Sequence, residues 1–224
     1  MNSFSHALPF LDRNADFAIG CAIPDWLGAV DRRCRVRKNG AEKLLDAADP
    51  LVVNIAGGII QHIDDDRWFH AGVKFTDLSM NFAVELRELL VGEAGFRPGF
   101  LGHIIIELLL DAFLHENYPG ELDRFYEMVR AADPDSIQDA VNSMATRPTT
   151  KLAEYFQVFN REKYLYDYND DDRLMYRVNH VLRRVKLNPV DERVVNWVPS
   201  ARKRVYDSVS ELLFEYPMEV AAKS

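Results

Sequence analysis

The chain has 224 residues, a net charge of −8, 48% apolar residues and 28% charged residues, a balance that fits one well-packed domain with at most a helical extension. The acidic excess argues against general nucleic-acid binding, and Cys21 and Cys34, the two cysteines, are too few for a disulfide framework. No basic segment followed by an apolar core opens the chain, and its most apolar run breaks at Glu107, short of the roughly 18 residues of a membrane span, so neither signal peptide nor span is expected and the cytoplasm is the default location.

In chain order the periodicity is helical, with no convincing run of alternating β-branched residues. Residues 3–10 predict a short helix carrying His6 among Phe4, Leu8 and Phe10. A second helix is expected from about residue 16 to 30, with Pro24 kinking it or opening a new turn. Residues 31–50 read as a loop with charged turns. The apolar run after Asp49-Pro50 leads directly into His62, Asp66 and His70, and Gly57-Gly58 within it weakens a helix but lets another backbone come close. Residues 75–91 place Phe75, Leu78, Phe82, Leu86 and Leu89 on one face. Residues 92–99 form a turn, and residues 99–115 form a helix that is apolar nearly all round, hence buried. Further helices are expected over 120–132, 134–145 (with Asp133 as cap and Pro134 in the first turn), 150–160, 170–186 and 190–216.

Two polar ladders interrupt this apolar pattern. His103, Glu107 and Asp111 follow one another at four-residue intervals, and His62, Asp66 and His70 repeat the spacing, so each set lies on one stripe of its helix. An unpaired carboxylate buried in a core costs several kcal/mol, and each stripe therefore needs compensation. A lone histidine on an apolar helix is most often a satisfied core residue; two stacked ladders favour metal ligation collectively. Histidine and carboxylate donors at helical spacing suit zinc, manganese or iron better than calcium. Such an ion polarises a phosphoryl or carbonyl oxygen and activates water.

Arg32, Arg33, Arg35, Arg37 and Lys38 form the densest basic cluster. It is either a landing site for phosphate or an acidic partner, or a solvated loop offsetting the acidic remainder. Cys21 has no activating neighbour in sequence and reads as a buried small residue. His115 and His180, flanked by polar residues, read as surface positions. Tyr155, Phe156, Phe159, Tyr164, Tyr166 and Tyr168 read as core and cleft wall.

Ser3-Phe4-Ser5-His6-Ala7-Leu8, Ile19-Gly20-Cys21-Ala22-Ile23-Pro24-Asp25-Trp26, Gly58-Ile59-Ile60-Gln61-His62 with Asp66, and Leu110-Asp111-Ala112-Phe113-Leu114 together resemble the bacterial acyl carrier protein phosphodiesterases. Those are helical metal-dependent enzymes related to the HD-type phosphohydrolases. The resemblance continues weakly through Phe159-Asn160-Arg161-Glu162-Lys163-Tyr164-Leu165. It implies hydrolysis of the phosphodiester that links 4′-phosphopantetheine to holo acyl carrier protein, with His6, Asp25, His62, Asp66, Glu107 and Asp111 at the family's polar positions. The chain departs from that pattern at His70, where the family tends to have an acid, at Ala112, where it has histidine, and at the additional His103. Pro24-Asp25 with Gly102-His103-x-x-x-Glu107 and His115 is similar, over a shorter stretch, to the helical zinc-dependent phospholipase C and nuclease group.

These readings combine into an all-α, single-domain bundle of about eight to ten helices over residues 1–224. Its metal site would lie between central helices of the first half, about residues 1–118, with C-terminal helices over 119–224. The expected ligands are His6, His62, Asp66, His70, His103 and Glu107, holding one or two ions of manganese, iron, zinc or magnesium. Asp25 and Asp111 are the candidate catalytic carboxylates, and the arginine-rich cluster would receive the phosphate or the carrier protein. The rival expectation is a non-catalytic helical protein whose ladders are salt bridges, for instance to Arg67 or Arg97, and whose cleft binds an acidic partner.

Overall fold

The structure is a computed structural model that describes residues 1–93, 95–214 and 216. The protein is all-α. Its helices are α1 (Ser3–Ala7), α2 (Ala15–Val30), α3 (Lys38–Glu42), α4 (Pro50–Ala71), α5 (Val73–Leu89), α6 (Pro98–Asn117), α7 (Glu121–Ala131), α8 (Pro134–Met144), α9 (Leu152–Glu162), α10 (Asp171–Arg184), α11 (Glu192–Asp207) and α12 (Val209–Leu212). Two 3-10 turns, Leu8–Phe10 and Tyr164–Asn169, link them. Among the described residues the only β-type pairing is an isolated bridge between Val36 and Ala145. Position 215, within the helix expected over 190–216, and position 94, within the expected turn, lie outside the described residues.

Backbone contacts cluster the chain into two units built from alternating segments, rather than into an N-terminal and a C-terminal half. The first takes Met1–Arg67 and Tyr118–Lys163; the second takes Trp68–Asn117 and the described part of Tyr164–Ser224.

In the first unit α1 is buried along its whole length. Asn14 caps α2, its Oδ1 accepting from the backbone N–H groups of Asp16 and Phe17 at 2.9 and 3.2 Å, which satisfies donors the helix itself cannot. Pro24 is carried inside α2 without ending it. Gly20 on α2 and Gly58 on α4 meet where the two backbones nearly touch. A Cβ on Gly58 would stand 2.2 Å from the Phe17 carbonyl oxygen, and one on Gly20 would stand 2.8 Å from that of Ile55. The other side of α2 holds Trp26 in an aromatic cluster, its ring centroid 4.9 Å from Phe159, 5.3 Å from Phe156 and 6.3 Å from Phe125. Asp133 caps α8 as its position before Pro134 predicts, accepting from Asp135 and Ser136 N–H. The segment read as loop contains the single turn α3, and Thr146 N–H donates to Arg35 C=O at 2.9 Å beside the Val36–Ala145 bridge.

In the second unit α5 buries Phe75, Leu78, Phe82 and Leu86 of the face its periodicity predicts, while Leu89, in its last turn, is half-buried. Gly102 of α6 rests on Phe82, where an added Cβ would approach the Phe82 Cβ to 3.0 Å. Helix α6 is 20 residues long, enough by length and composition to cross a membrane, with 61% of its apolar window buried within the protein. The uninterrupted apolar run is therefore a poor guide to its length, because Glu107 and Asp111 continue the helix instead of ending it. Glu85 ties α5 to α11, accepting from Trp197 Nε1 and Arg204 Nη2 at 2.7 Å each. The helix expected to continue to residue 216 breaks at Ser208 and restarts as α12.

Candidate metal centres

The first unit gathers His6 from α1, Asp25 from α2, and His62, Asp65 and Asp66 from α4. One donor atom each from His6, Asp25 and His62 lies within 4.8 Å of the others. His6 and His62 are buried, and their rings are in contact, tilted by 31° with centroids 3.9 Å apart. His62 Nδ1 donates to the Cys21 carbonyl at 2.7 Å. That bond fixes the tautomer and leaves Nε2 with its lone pair facing Asp66 Oδ2 at 3.7 Å and Asp25 Oδ1 at 4.0 Å, the backbone-oriented geometry of metal-binding imidazoles. His6 Nε2 contacts Asp66 Oδ1 at 3.2 Å. Its Nδ1 is buried without a hydrogen bond, the nearest carboxylate oxygen being Asp65 Oδ2 at 3.5 Å.

Ser3 Oγ donates to Asp25 Oδ2 at 3.2 Å, Gln61 Nε2 donates to Asp65 Oδ1 at 2.7 Å, and the Met1 ammonium lies 3.0 Å from Asp66 Oδ1. Burial pulls His6 down, but the Asp65 and Asp66 carboxylates outweigh it and raise the imidazole to about 8. Burial and the neighbouring His6 push His62 the opposite way, well below the ordinary histidine value. Asp66 is held well below the usual carboxylate range, the His6 hydrogen bond and the adjacent positive charge outweighing its burial. Two adjacent imidazoles thus differ in protonation because the Asp65 and Asp66 carboxylates overcome burial at His6, whereas burial and the charge on His6 prevail at His62.

The second unit gathers His70, from the last turn of α4, with His103 and Glu107 of α6, again with one donor atom each within 4.8 Å of the others. His70 Nε2 and His103 Nε2 approach the same oxygen, Glu107 Oε1, at 2.9 and 3.2 Å. Burial pushes the Glu107 carboxyl up, but a nearby positive charge and the hydrogen bonds from His103 and His70 outweigh it and hold the group well below its ordinary value.

The polar stripes therefore divide between two groups instead of converging on one site. Eight residues of helix rise about 12 Å, so one ion cannot take both His62 and His70. Asp111 is buried at 2% exposure and belongs to neither group. His115 donates from Nδ1 to Asn169 Oδ1 at 2.5 Å and is engaged there. Arg67 lies against Asp64 at 3.9 Å, and the compensation for Asp66 comes from histidine and the Met1 ammonium.

Of the basic cluster, Arg32 and Arg35 line an open groove of about 480 Å³ with Pro24, Leu27, Gly28, Cys34 and Val36. Arg33 leans on Asp31 at 3.6 Å, Arg37 is exposed, and Lys38 pairs with both Asp64 oxygens at 2.6 Å. Sequence reasoning missed Asp65, Ser3 and the Cys21 carbonyl. The available signal for Asp65 was its place one helical turn after Gln61, which puts the two side chains on one stripe. No protein-family model, curated protein or solved structure matches this chain.

Proposed function

We propose that the protein is a metal-dependent phosphodiester hydrolase acting through the His6, Asp25, His62 and Asp66 group. The substrate class proposed is the one the acyl carrier protein phosphodiesterases cleave, a phosphopantetheine diester on an acidic carrier protein. The observation that carries this reading is the buried imidazole pair. His62 is held by a backbone carbonyl so that Nε2 faces two carboxylates, and His6 keeps a buried nitrogen without a hydrogen bond. Two imidazoles and two carboxylates fit zinc, manganese or iron.

His6, His62 and Asp66 would hold the ion. A divalent ion bound there supplies Lewis acidity toward a phosphoryl oxygen and lowers the pKa of water. Ser3 Oγ holds Asp25 Oδ2 and turns Oδ1 toward His62, which suits Asp25 to accept the proton of the attacking water. Pro24, the residue before Asp25, lines the groove that carries Arg32 and Arg35, so the two guanidinium groups are placed to receive an anionic substrate.

The competing reading is a binding protein that uses the groove without chemistry; it is favoured by the Met1 ammonium and His6, which already neutralise Asp66. Metal content by elemental mass spectrometry, after repletion with manganese, iron and zinc, separates the two. The hydrolase reading expects bound metal that His62→Ala removes, together with metal-dependent release of phosphopantetheine from holo carrier protein or cleavage of a simple phosphodiester. A wild-type protein that retains no ion and cleaves neither substrate overturns the hydrolase reading in favour of the binding protein.

A further inference from the structure

The geometry points to a second metal centre, formed by His70, His103 and Glu107, that holds a divalent first-row transition ion independently of the His6–His62 group. Donors around a tetrahedral ion with bonds of 2.0–2.2 Å stand about 3.4 Å apart. Here the His70 and His103 Nε2 atoms stand 2.9 and 3.2 Å from one carboxylate oxygen, within about half an ångström of that separation, and all three donor atoms lie within 4.8 Å of one another. Both imidazoles present the same ring nitrogen to the same point. Their centroids are 4.7 Å apart at an interplanar angle of 39°. Phe75 fixes both orientations, its ring 4.9 Å from His70 and edge-on to His103 at 5.0 Å.

Exposure distinguishes this group from a structural core network. The side chains of His70, His103 and Glu107 are 31%, 36% and 16% exposed, so an ion can enter from solvent and keep positions open for water or a further ligand. Three protein donors with an open position characterise catalytic and exchangeable sites, whereas structural sites are closed by four. Two imidazoles and one carboxylate select zinc or ferrous iron over calcium or magnesium. His103 and Glu107 lie one turn apart on α6, while His70 closes the last turn of α4, so the ion would clamp those two segments.

The test is titration of the metal-free full-length protein with cobalt(II), read by its visible d–d bands, with zinc content measured in parallel. Wild type is expected to bind two equivalents. His103→Ala and His70→Gln are each expected to lose one equivalent and to keep the one that His62→Ala removes. Unchanged far-UV circular dichroism confirms folding, and His70→Gln, which preserves size and a donor, keeps the test decisive if His103→Ala misfolds. Two equivalents bound with unchanged affinity in both variants would overturn the assignment, as would a single wild-type equivalent that only His62→Ala abolishes. A single equivalent lost in His103→Ala but retained in His62→Ala would support this centre while removing the basis of the proposed hydrolase.

Discussion

His6 and His62 have the same side chain, in ring contact, yet opposite tendencies to hold a proton, and this makes the first centre measurable by pH. His6 is raised from 6.5 to about 8, so its charged pairing with Asp65 and Asp66 contributes stability that is full below pH 6.5 and is lost as pH climbs through about 8. His62 is lowered, so its contribution is present above pH 6.5 and is lost on acidification below that. The metal-free protein is therefore expected to lose thermal stability between pH 6.5 and 8.5, with a shallower loss in His6→Gln. Metal affinity moves the other way, since His6 must give up its proton to ligate: zinc binding should strengthen about tenfold per pH unit up to about 8, measurable by calorimetry in buffers of differing ionisation enthalpy. Asp25 separates from the ligands by its kinetics. Asp25→Asn is expected to lower kcat by about 10²–10⁴ with metal content unchanged, and loss of the ion in that variant would reassign Asp25 as a ligand.

At the scale of elements, the position of His62 depends on how closely α4 lies on α2. Gly58 precedes His62 by one turn on the same face, and a Cβ there would collide with the Phe17 carbonyl at 2.2 Å and the Cys21 backbone nitrogen at 2.8 Å. At Gly57 the nearest atoms belong to the Phe17 ring, at 3.0 Å, and a ring can turn aside. Gly57→Ala should thus be near neutral, because the gain of about 1 kcal/mol in helix propensity offsets the crowding. Gly58→Ala should cost about 1–3 kcal/mol or more by overpacking and should weaken metal binding by pulling His62 Nδ1 off the Cys21 carbonyl. Denaturant melts with parallel zinc titrations check both. The close approach was legible in the glycine pair, as were the capped start of α8 and the buried face of α5, because each rests on local chemistry or periodicity. The division of the ladders between two groups was not legible: spacing places side chains on a stripe but does not say which helix faces which part of it. Ser3 and the Cys21 carbonyl were invisible for a related reason, since a hydroxyl and a backbone oxygen acquire a role only when the fold brings a partner to them.

Over the whole molecule the net charge of −8 repels the acidic carrier protein that the proposed function requires, so local charge must overcome the total. Residues 32–38 read as one basic block, but the structure divides their roles: Arg32 and Arg35 face the groove, while Lys38 is committed to Asp64. Screening acts over about 8–10 Å at physiological salt, so only charges beside the groove steer an anionic substrate effectively. Reversing Arg32 and Arg35 together to glutamate is expected to raise KM for an anionic phosphodiester by about tenfold or more, leave kcat within about twofold and leave metal content unchanged. The same variant should lose most of the wild-type dependence of kcat/KM on ionic strength. Lys38→Ala should leave KM nearly unaltered, because its ammonium is already neutralised. If Lys38→Ala raises KM as strongly as the arginine reversal, the entire basic block receives the substrate and the groove loses its special role. If neither variant changes KM, the cluster is a solvated surface and substrate capture belongs elsewhere.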